Sequence, residues 1–445
     1  MTNIVTVLTN QGWQGLTSGV WTLGADTVTN NIAGIVIYPG TTANTLSGDD
    51  TITGSGGVDT ENAALTGLAP LHFGIENLGT LIMGRGVNSL AGTATGPKTA
   101  LVYGIYNEAD STISMDGNCN SISGIATGDG SEFPGIFSIA GIYNRSGSIT
   151  MEDGSNNSIS GIGVATGAAV VDEGTGFLSS GIFNRQGGTI AIGDGDNNSI
   201  TGIGGYYNGI YNRGDLVIGN GNNNSITGTG ISDGAYGIYN QALPPNPNGG
   251  STANITMGNG DNIRITGVSI GNNSAGISND PGCTIKLGDG NHGSIAGIAT
   301  GNGGTGIVNI GDIILGQGTG CIIGTGESAG ILNLGRIDAG AGNDVIIANG
   351  GFRGNGNVLL GDGNDYLKGF GSGNFDGGSD EDILELTTGT YTVGRSAETV
   401  TFTASGTGIT MTTTGFEFLL AGTTYNFASL TSGQVITVGQ MIMAC

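Results

Sequence analysis

Apolar residues in this chain recur singly, spaced by Gly, Asn, Ser and Thr, and they fall into three short patterns. The first is Gly-Ile-x-Asn. It appears at Gly74, Gly104, Gly141, Gly181, Gly209, Gly237, Gly276, Gly306 and Gly330, with steps of about 32 residues. The second is an apolar-x-apolar pair closed by a glycine turn, as in Ile190-Ala191-Ile192-Gly193-Asp194-Gly195 and Leu216-Val217-Ile218-Gly219-Asn220-Gly221. The third is Asn-Ser-Ile-x-Gly, as in Asn157–Gly161, Asn198–Gly202 and Asn224–Gly228.

The spacings define the unit. From second to third pattern the step is 10 residues in each of the pairs Ile149/Ile159, Ile190/Ile200, Leu216/Ile226, Ile255/Ile265 and Ile285/Ile295. From third pattern to the next Gly-Ile-x-Asn it varies, so one corner takes insertions. Each pattern alternates apolar and polar over three to five residues between turn formers, which reads as a short strand with alternate residues inward. Three such strands per repeat, stacked on the next repeat, predict an all-β parallel β-solenoid with roughly triangular coils of about 28–32 residues. Inward Ile, Leu and Met then stack into one core, and stacked Asn residues bond to one another as ladders do. The aromatic file Tyr106, Tyr143, Phe183, Tyr211 and Tyr239 falls between inward Ile and inward Asn. It is expected to point outward or into a neighbouring layer, either as plain strand formers or as a stripe that packs on another subunit.

Four segments follow: residues 1–73 as an N-terminal strand and cap region, 74–335 as the repeated solenoid, 336–386 as coils of different character, and 387–445 as an all-β C-terminal cap or export and assembly region.

Composition sharpens this picture. Of 445 residues 92 are Gly, too many for a helical protein. Glycine has no three-residue period, which excludes collagen. It is expected at the corners of coils, beside Asn and Asp. Acidic residues number 35 against 11 basic, a net charge of −24. That balance argues against nucleic acid and anionic membranes as partners and suits bound cations. No apolar run is long enough to span a membrane as a helix, so membrane insertion is not expected. The N-terminus lacks the basic start and apolar stretch of an ordinary secretory signal.

Residues 336–386 hold nine acidic and three basic residues. Ala339–Ile346, Leu360–Leu367 and Gly377–Leu384 fit the nonapeptide G-G-x-G-x-D-x-U-x, with single departures. This segment resembles the RTX, or haemolysin-type, calcium-binding repeat family. In that family the turn offers carbonyls and the Asp a carboxylate, an all-oxygen shell that suits Ca²⁺. The resemblance implies Ca²⁺ on Asp344, Asp365 and Asp382, with Asp362 and Asp380 in the same turns. A degenerate copy near the N-terminus adds Asp50 and Asp59. The steps of 21 and 17 residues depart from the regular coil of about 18, so one or two sites are expected and not a long roll. The last 60 residues resemble the C-terminal export region of RTX proteins secreted by type I systems. That implies an extracellular or cell-surface location without an N-terminal signal peptide. A cap over the last coil fits the same stretch.

Candidate chemistry is sparse. His72 and His292 are the only histidines, there is no P-loop or GxSxG, and Arg145, Arg185 and Arg213 recur one per repeat, which reads as structure. The acidic pairs Asp49/Asp50 and Asp380/Asp382 sit in calcium-type turns and not at glycosidase spacing. An enzyme is not expected; a β-helix polysaccharide lyase or epimerase is the enzymatic alternative. Ice binding calls for a regular Thr-x-Thr file. The outward file Ser114, Thr150, Ala191, Val217, Thr256 and Lys286 is irregular. Cys119, Cys283, Cys321 and Cys445 show no metal or disulfide spacing.

Open sheet edges at the ends of a solenoid pair with other chains unless capped. The strand containing Ile4, Val5, Val7 and Leu8 and the apolar C-terminal residues Phe416, Phe418, Tyr425 and Phe427 are natural complementary ends. The expected role is an extracellular structural protein that joins head to tail into a filament, sheath or surface layer, stiffened by Ca²⁺. Its partner is itself, with cell-surface polysaccharide as a further partner and a glycan- or ice-binding adhesin as the alternative.

Overall fold

The computed structural model describes residues 15–16, 19–20, 24–30, 34–59, 71–96, 101–129, 138–166, 178–242 and 252–439. These residues form the parallel β-solenoid that the repeats predict. The three sequence patterns become its three faces. Gly-Ile-x-Asn strands form the first face, including Leu101–Asn107, Ser138–Asn144 and Ile210–Asn212. Apolar-x-apolar strands form the second, including Ser148–Met151 and Asp215–Ile218. Ser-Ile-x-Gly strands form the third, including Ser121–Asp129 and Ser225–Gly230.

Like residues stack on like. Ile142 pairs with Ile105 and Ile182, Ile149 with Ile113 and Ile190, and Ile159 with Ile122 and Ile200. All of these side chains are fully buried in one continuous core. Period-2 alternation is therefore read out as inward Ile or Met and outward Ser, Thr or Ala on the second and third faces.

Two features differ from the sequence expectation. Coil length is less uniform. Successive rungs of the first-face Asn ladder are 28 to 40 residues apart as far as Asn279. The Asn steps then shorten to 30 and 24 residues, and the Asp344–Asp365 and Asp365–Asp382 steps at another corner are 21 and 17. The surplus in the steps from Asn107 to Asn144 and from Asn144 to Asn184 lies between third and first faces, the corner expected to take insertions, but from Asn240 to Asn279 it lies between the first-face strand ending at Asn240 and the second-face strand starting at Asn254.

Glycine is also not confined to corners. Gly124 on the third face and Gly141 on the first lie mid-strand, where the two sheets converge. A Cβ on Gly124 would sit 2.0 Å from the Gly141 carbonyl oxygen, and one on Gly141 would sit 2.1 Å from the Ile162 nitrogen. Here backbone packs on backbone, and only hydrogen fits between. The core is thus a wedge, thick with Ile on one side and closed by glycine at the other.

The sheets pass through residue 336 without a break: Arg336 pairs with Asp312 and Ile337 with Ile313. The parallel stack ends at an antiparallel cap. Gly389–Ser396 pairs with Thr399–Ala404, which pairs with Thr410–Thr414, and Val435–Val438 adds to the first of these. Tyr391, Phe402 and Met411 are buried beneath it. No helix among the described residues is long and apolar enough to cross a membrane.

Candidate functional site

Two interior ladders run along the solenoid. On the first face, the Nδ2 of each Asn donates to the Oδ1 of the next: Asn77 to Asn107, Asn107 to Asn144, and so on to Asn333, over 2.7–2.9 Å. Each amide is buried, with its remaining donor spent on corner carbonyls such as Gly188 O and Asp215 O beside Asn184. This ladder holds a corner together.

The second ladder follows the corner between second and third faces and changes chemistry along its length. In its middle are Asn88, Asn120, Asn157, Asn198 and Asn224. The backbone N–H of each of the first four donates to the Oδ1 of the next, over 2.7–2.9 Å. Each Nδ2 donates to a glycine carbonyl of its own corner, as Asn157 does to Gly154 O at 3.1 Å.

At both ends the same rung is a carboxylate. Asp26 N–H donates to Asp50 Oδ1, and Asp50 N–H to Asn88 Oδ1. Near the C-terminus, Gly320 N–H donates to Asp344 Oδ1, Asp344 N–H to Asp365 Oδ1 at 2.7 Å, and Asp365 N–H to Asp382 Oδ1 at 2.9 Å. Asp382 N–H then donates to Glu417 Oε2. An Asp cannot supply the amide donor that Asn turns toward the corner carbonyls. The Oδ2 atoms of Asp50, Asp344, Asp365 and Asp382 are all buried without a hydrogen-bond partner. Burial pushes three of these carboxyls up, Asp344 to about 8, Asp365 to about 6 and Asp382 to about 7. Backbone N–H donors oppose the rise and neighbouring carboxylates add to it.

The corners also change shape. In the coils of Asn157, Asn198 and Asn224 a residue in the left-handed region precedes the rung: Asn156, Asn197 and Asn223, at φ 57–61°. The Asp coils lose that residue, and two glycines per corner take positive φ instead, Gly340 and Gly342 at 98° and 106°, then Gly361 and Gly363 at 107° and 127°. Asp380 stands at the second of these positions in the next coil, at φ 84°, where glycine is favoured.

The residues singled out for metal therefore divide. Asp344, Asp365, Asp382 and Asp50 are buried at the same corner position, with Ile263 and Gly293 there between the Asn224 and Gly320 coils. Asp362 and Asp380 are exposed on the outside of their corners. Asp59 lies in the strand Gly57–Asp59, antiparallel to Leu71–Phe73. Among the described residues no three acidic, His or Cys side chains gather into a cluster. The donors on offer to a cation are thus the orphaned Oδ2 atoms together with corner carbonyls, an all-oxygen set that fits Ca²⁺.

Ile4, Val5, Val7 and Leu8 lie outside the described residues, as does Cys445. Phe416 and Phe427 are buried in the chain's own cap with rings stacked 5.7 Å apart, Tyr425 packs against the same core, and Phe418 is half-buried. The aromatic file is outward, yet its rings stack in a second apolar cluster and four of the five are buried. Phe183 and Tyr211 lie 4.7 Å apart and nearly parallel.

Sequence reasoning missed a hydroxyl array. The outward file of the second face is irregular. On the third face Ser121/Ser123, Ser158/Ser160, Ser199/Thr201 and Ser225/Thr227 stack in register over four coils. Their Ser-x-Ser/Thr spacing is visible in the sequence, but it coincides with the ordinary alternation of a strand.

Compared with protein-family models, curated proteins and solved structures, the chain matches none.

Proposed function

We propose that the protein is a non-enzymatic structural rod of the cell exterior, which joins through its ends into a filament, sheath or surface layer and has its last coils closed by Ca²⁺. The observation that carries this reading is the continuity of the first-face Asn ladder. One register runs from Asn77 to Asn333 without an interruption that would mark a site built for turnover. A solenoid of this kind is stiff along its axis and leaves strand edges at its ends. Thr27–Asn30 pairs with Thr51–Ser55 along one edge, and among the described residues nothing pairs with the other. Val435–Val438 is likewise paired on one side, with Val435 exposed. Such edges take a strand from a second copy by β-augmentation.

Asp344, Asp365 and Asp382 would hold the cation, which supplies the positive charge that their buried oxygens lack. Export through the C-terminal region without a signal peptide accords with the resemblance to RTX proteins.

Negative-stain microscopy of the purified protein with Ca²⁺ and with chelator tests the assembly. Filaments or sheets are expected with Ca²⁺; monodisperse particles under both conditions would overturn it. Deleting residues 1–10 is expected to abolish assembly while the monomer stays folded, and unchanged polymers would exclude strand donation from that end.

A second reading draws on the hydroxyl array of the third face, a flat uncharged patch suited to a glycan or ice surface. Ice-recrystallisation and polysaccharide pull-down assays on the Thr201→Lys variant separate it from the first.

A further inference from the structure

Three of the 11 basic residues of this acidic chain stand directly above one another. Asn144, Asn184 and Asn212 are register partners, and the residue after each is Arg145, Arg185 and Arg213. Their backbone N–H groups continue the ladder, Arg185 to Asn144 O at 2.8 Å and Arg213 to Asn184 O at 2.7 Å. The three guanidinium groups therefore spring from consecutive coils about 4.8 Å apart. Like charges in such a stack repel.

Arg145 and Arg185 lean back onto the preceding coil, whereas Arg213 lies over its own coil's tyrosine and reaches forward to the next. Arg145 Nη1 reaches the Tyr106 hydroxyl at 3.4 Å, and Arg185 Nη1 reaches the Tyr143 hydroxyl at 3.3 Å. The Arg213 guanidinium lies 4.6 Å from the Tyr211 ring centroid, and its Nε donates to Gln241 Oε1 at 2.9 Å. The aromatic ladder is thus the bed on which the arginines lie.

Neutralisation is incomplete. Arg145 pairs with Glu108 at 2.9 Å, and among the described residues Arg185 and Arg213 have no carboxylate within ion-pair distance. The next acid along the file, Asp280, is engaged by the Tyr239 hydroxyl at 3.1 Å. Arg145 and Arg185 are exposed and Arg213 is half-exposed.

We infer that the Arg145–Arg185–Arg213 file is an oxyanion-binding site, centred on Arg185, that takes a carboxylate or sulfate group on a guanidinium left without a carboxylate partner. Planar guanidinium forks match such oxyanions bidentately. The stack spans only three coils of a chain whose net charge is −24, which disfavours a long nucleic-acid backbone and favours a compact anion or an anionic group pendant on a glycan. This inference is independent of assembly and of Ca²⁺, so its failure would leave both untouched.

The test is calorimetric titration of the full chain, in chelator at low ionic strength, with inorganic sulfate in one arm and a short oligouronate in the other. Saturable binding is expected in at least one arm, weakened tenfold or more in Arg185→Gln. Arg264→Gln, on the third face, is expected to bind as the unaltered chain does. Thermal melts check that both variants fold. Tighter binding of oligouronate than of sulfate assigns the site to an acidic glycan; sulfate binding alone assigns it to a free oxyanion. No saturable binding in either arm, or equal binding by Arg185→Gln, would overturn the inference.

Discussion

Asp344 donates its backbone N–H to the carboxylate of Asp365 at 2.7 Å, at the ladder position that Asn157 and Asn198 occupy in the middle of the rod. The Asn rung is self-sufficient: one atom accepts and the other donates. The Asp side chain has two acceptors and no donor; Oδ1 accepts, and Oδ2 is left as a buried oxygen that a proton or a cation would satisfy.

Stability of the last coils should therefore fall as pH rises in the absence of divalent cations. The folded-state pKa values of Asp344, Asp382 and Asp365, at about 8, 7 and 6, lie above the ordinary carboxyl value of about 4. A raised folded pKa means tighter proton binding in the folded state. Its contribution is complete below about pH 4 and is lost as pH climbs through 6 to 8. Amide exchange of residues 336–386 in chelator should be slow at pH-corrected conditions near 5 and markedly faster near 9. Ca²⁺ should restore protection at the higher pH. Protection that does not depend on pH or Ca²⁺ would show that neither compensates the carboxylates.

Asp365→Asn should convert a rung that needs compensation into one that does not. The substitution keeps the acceptor for Asp344 N–H and replaces the orphaned oxygen with a donor. In chelator at pH 8 the variant should be more stable by about 1–3 kcal/mol, the cost of one unsatisfied buried group. Its response to Ca²⁺ should shrink. Differential scanning calorimetry of both forms, with and without Ca²⁺, measures both effects.

Asn184→Ala should be costly although it removes no charge. Asn184 accepts from Asn144 at 2.8 Å and donates to Asn212 at 2.9 Å, so both neighbours lose a partner in a buried corner. A loss of about 2–3 kcal/mol is expected in denaturant unfolding. A change below about 0.5 kcal/mol, typical of surface sites, would mean that the ladder is incidental to stability.

Gly141→Ala should destabilise more than its single methyl suggests. The added carbon would lie 2.1 Å from one strand's backbone and 2.6 Å from the Gly124 carbonyl oxygen, and neither can yield as a side chain would. The sheets must part, at a cost of at least about 3 kcal/mol. Gly282, with open space around it at φ 75°, is the control: alanine there meets only backbone strain of about 1 kcal/mol.

Much of the architecture was legible in the chain. The recurrence of Gly141-Ile142-Tyr143-Asn144 and its relatives set the coil, and the constant ten-residue step from Ile190 to Ile200 set one corner. Alternation placed Ile159 inside and Ser160 outside because a strand allows no other arrangement when one face is buried. The candidate site was legible only in part. Asp344, Asp365 and Asp382 announced themselves through the glycine pattern around them. Their kinship with Asn157 and Asn224 did not, because a residue lost from the corner shifts the spacing by one and hides the shared register.

The sequence by itself determined the solenoid, its three faces and the Asn positions, since these rest on local periodicity and on like stacking over like. Only the tertiary structure decided what depends on neighbours from other coils. It showed Gly124 and Gly141 meeting through their backbones, because closeness across the core has no local signature. It showed the Oδ2 of Asp344 and Asp382 left without donors, because satisfaction depends on what surrounds an atom. It also stacked Arg145, Arg185 and Arg213, residues that the chain separates by 40 and 28 positions and the parallel register brings one coil apart.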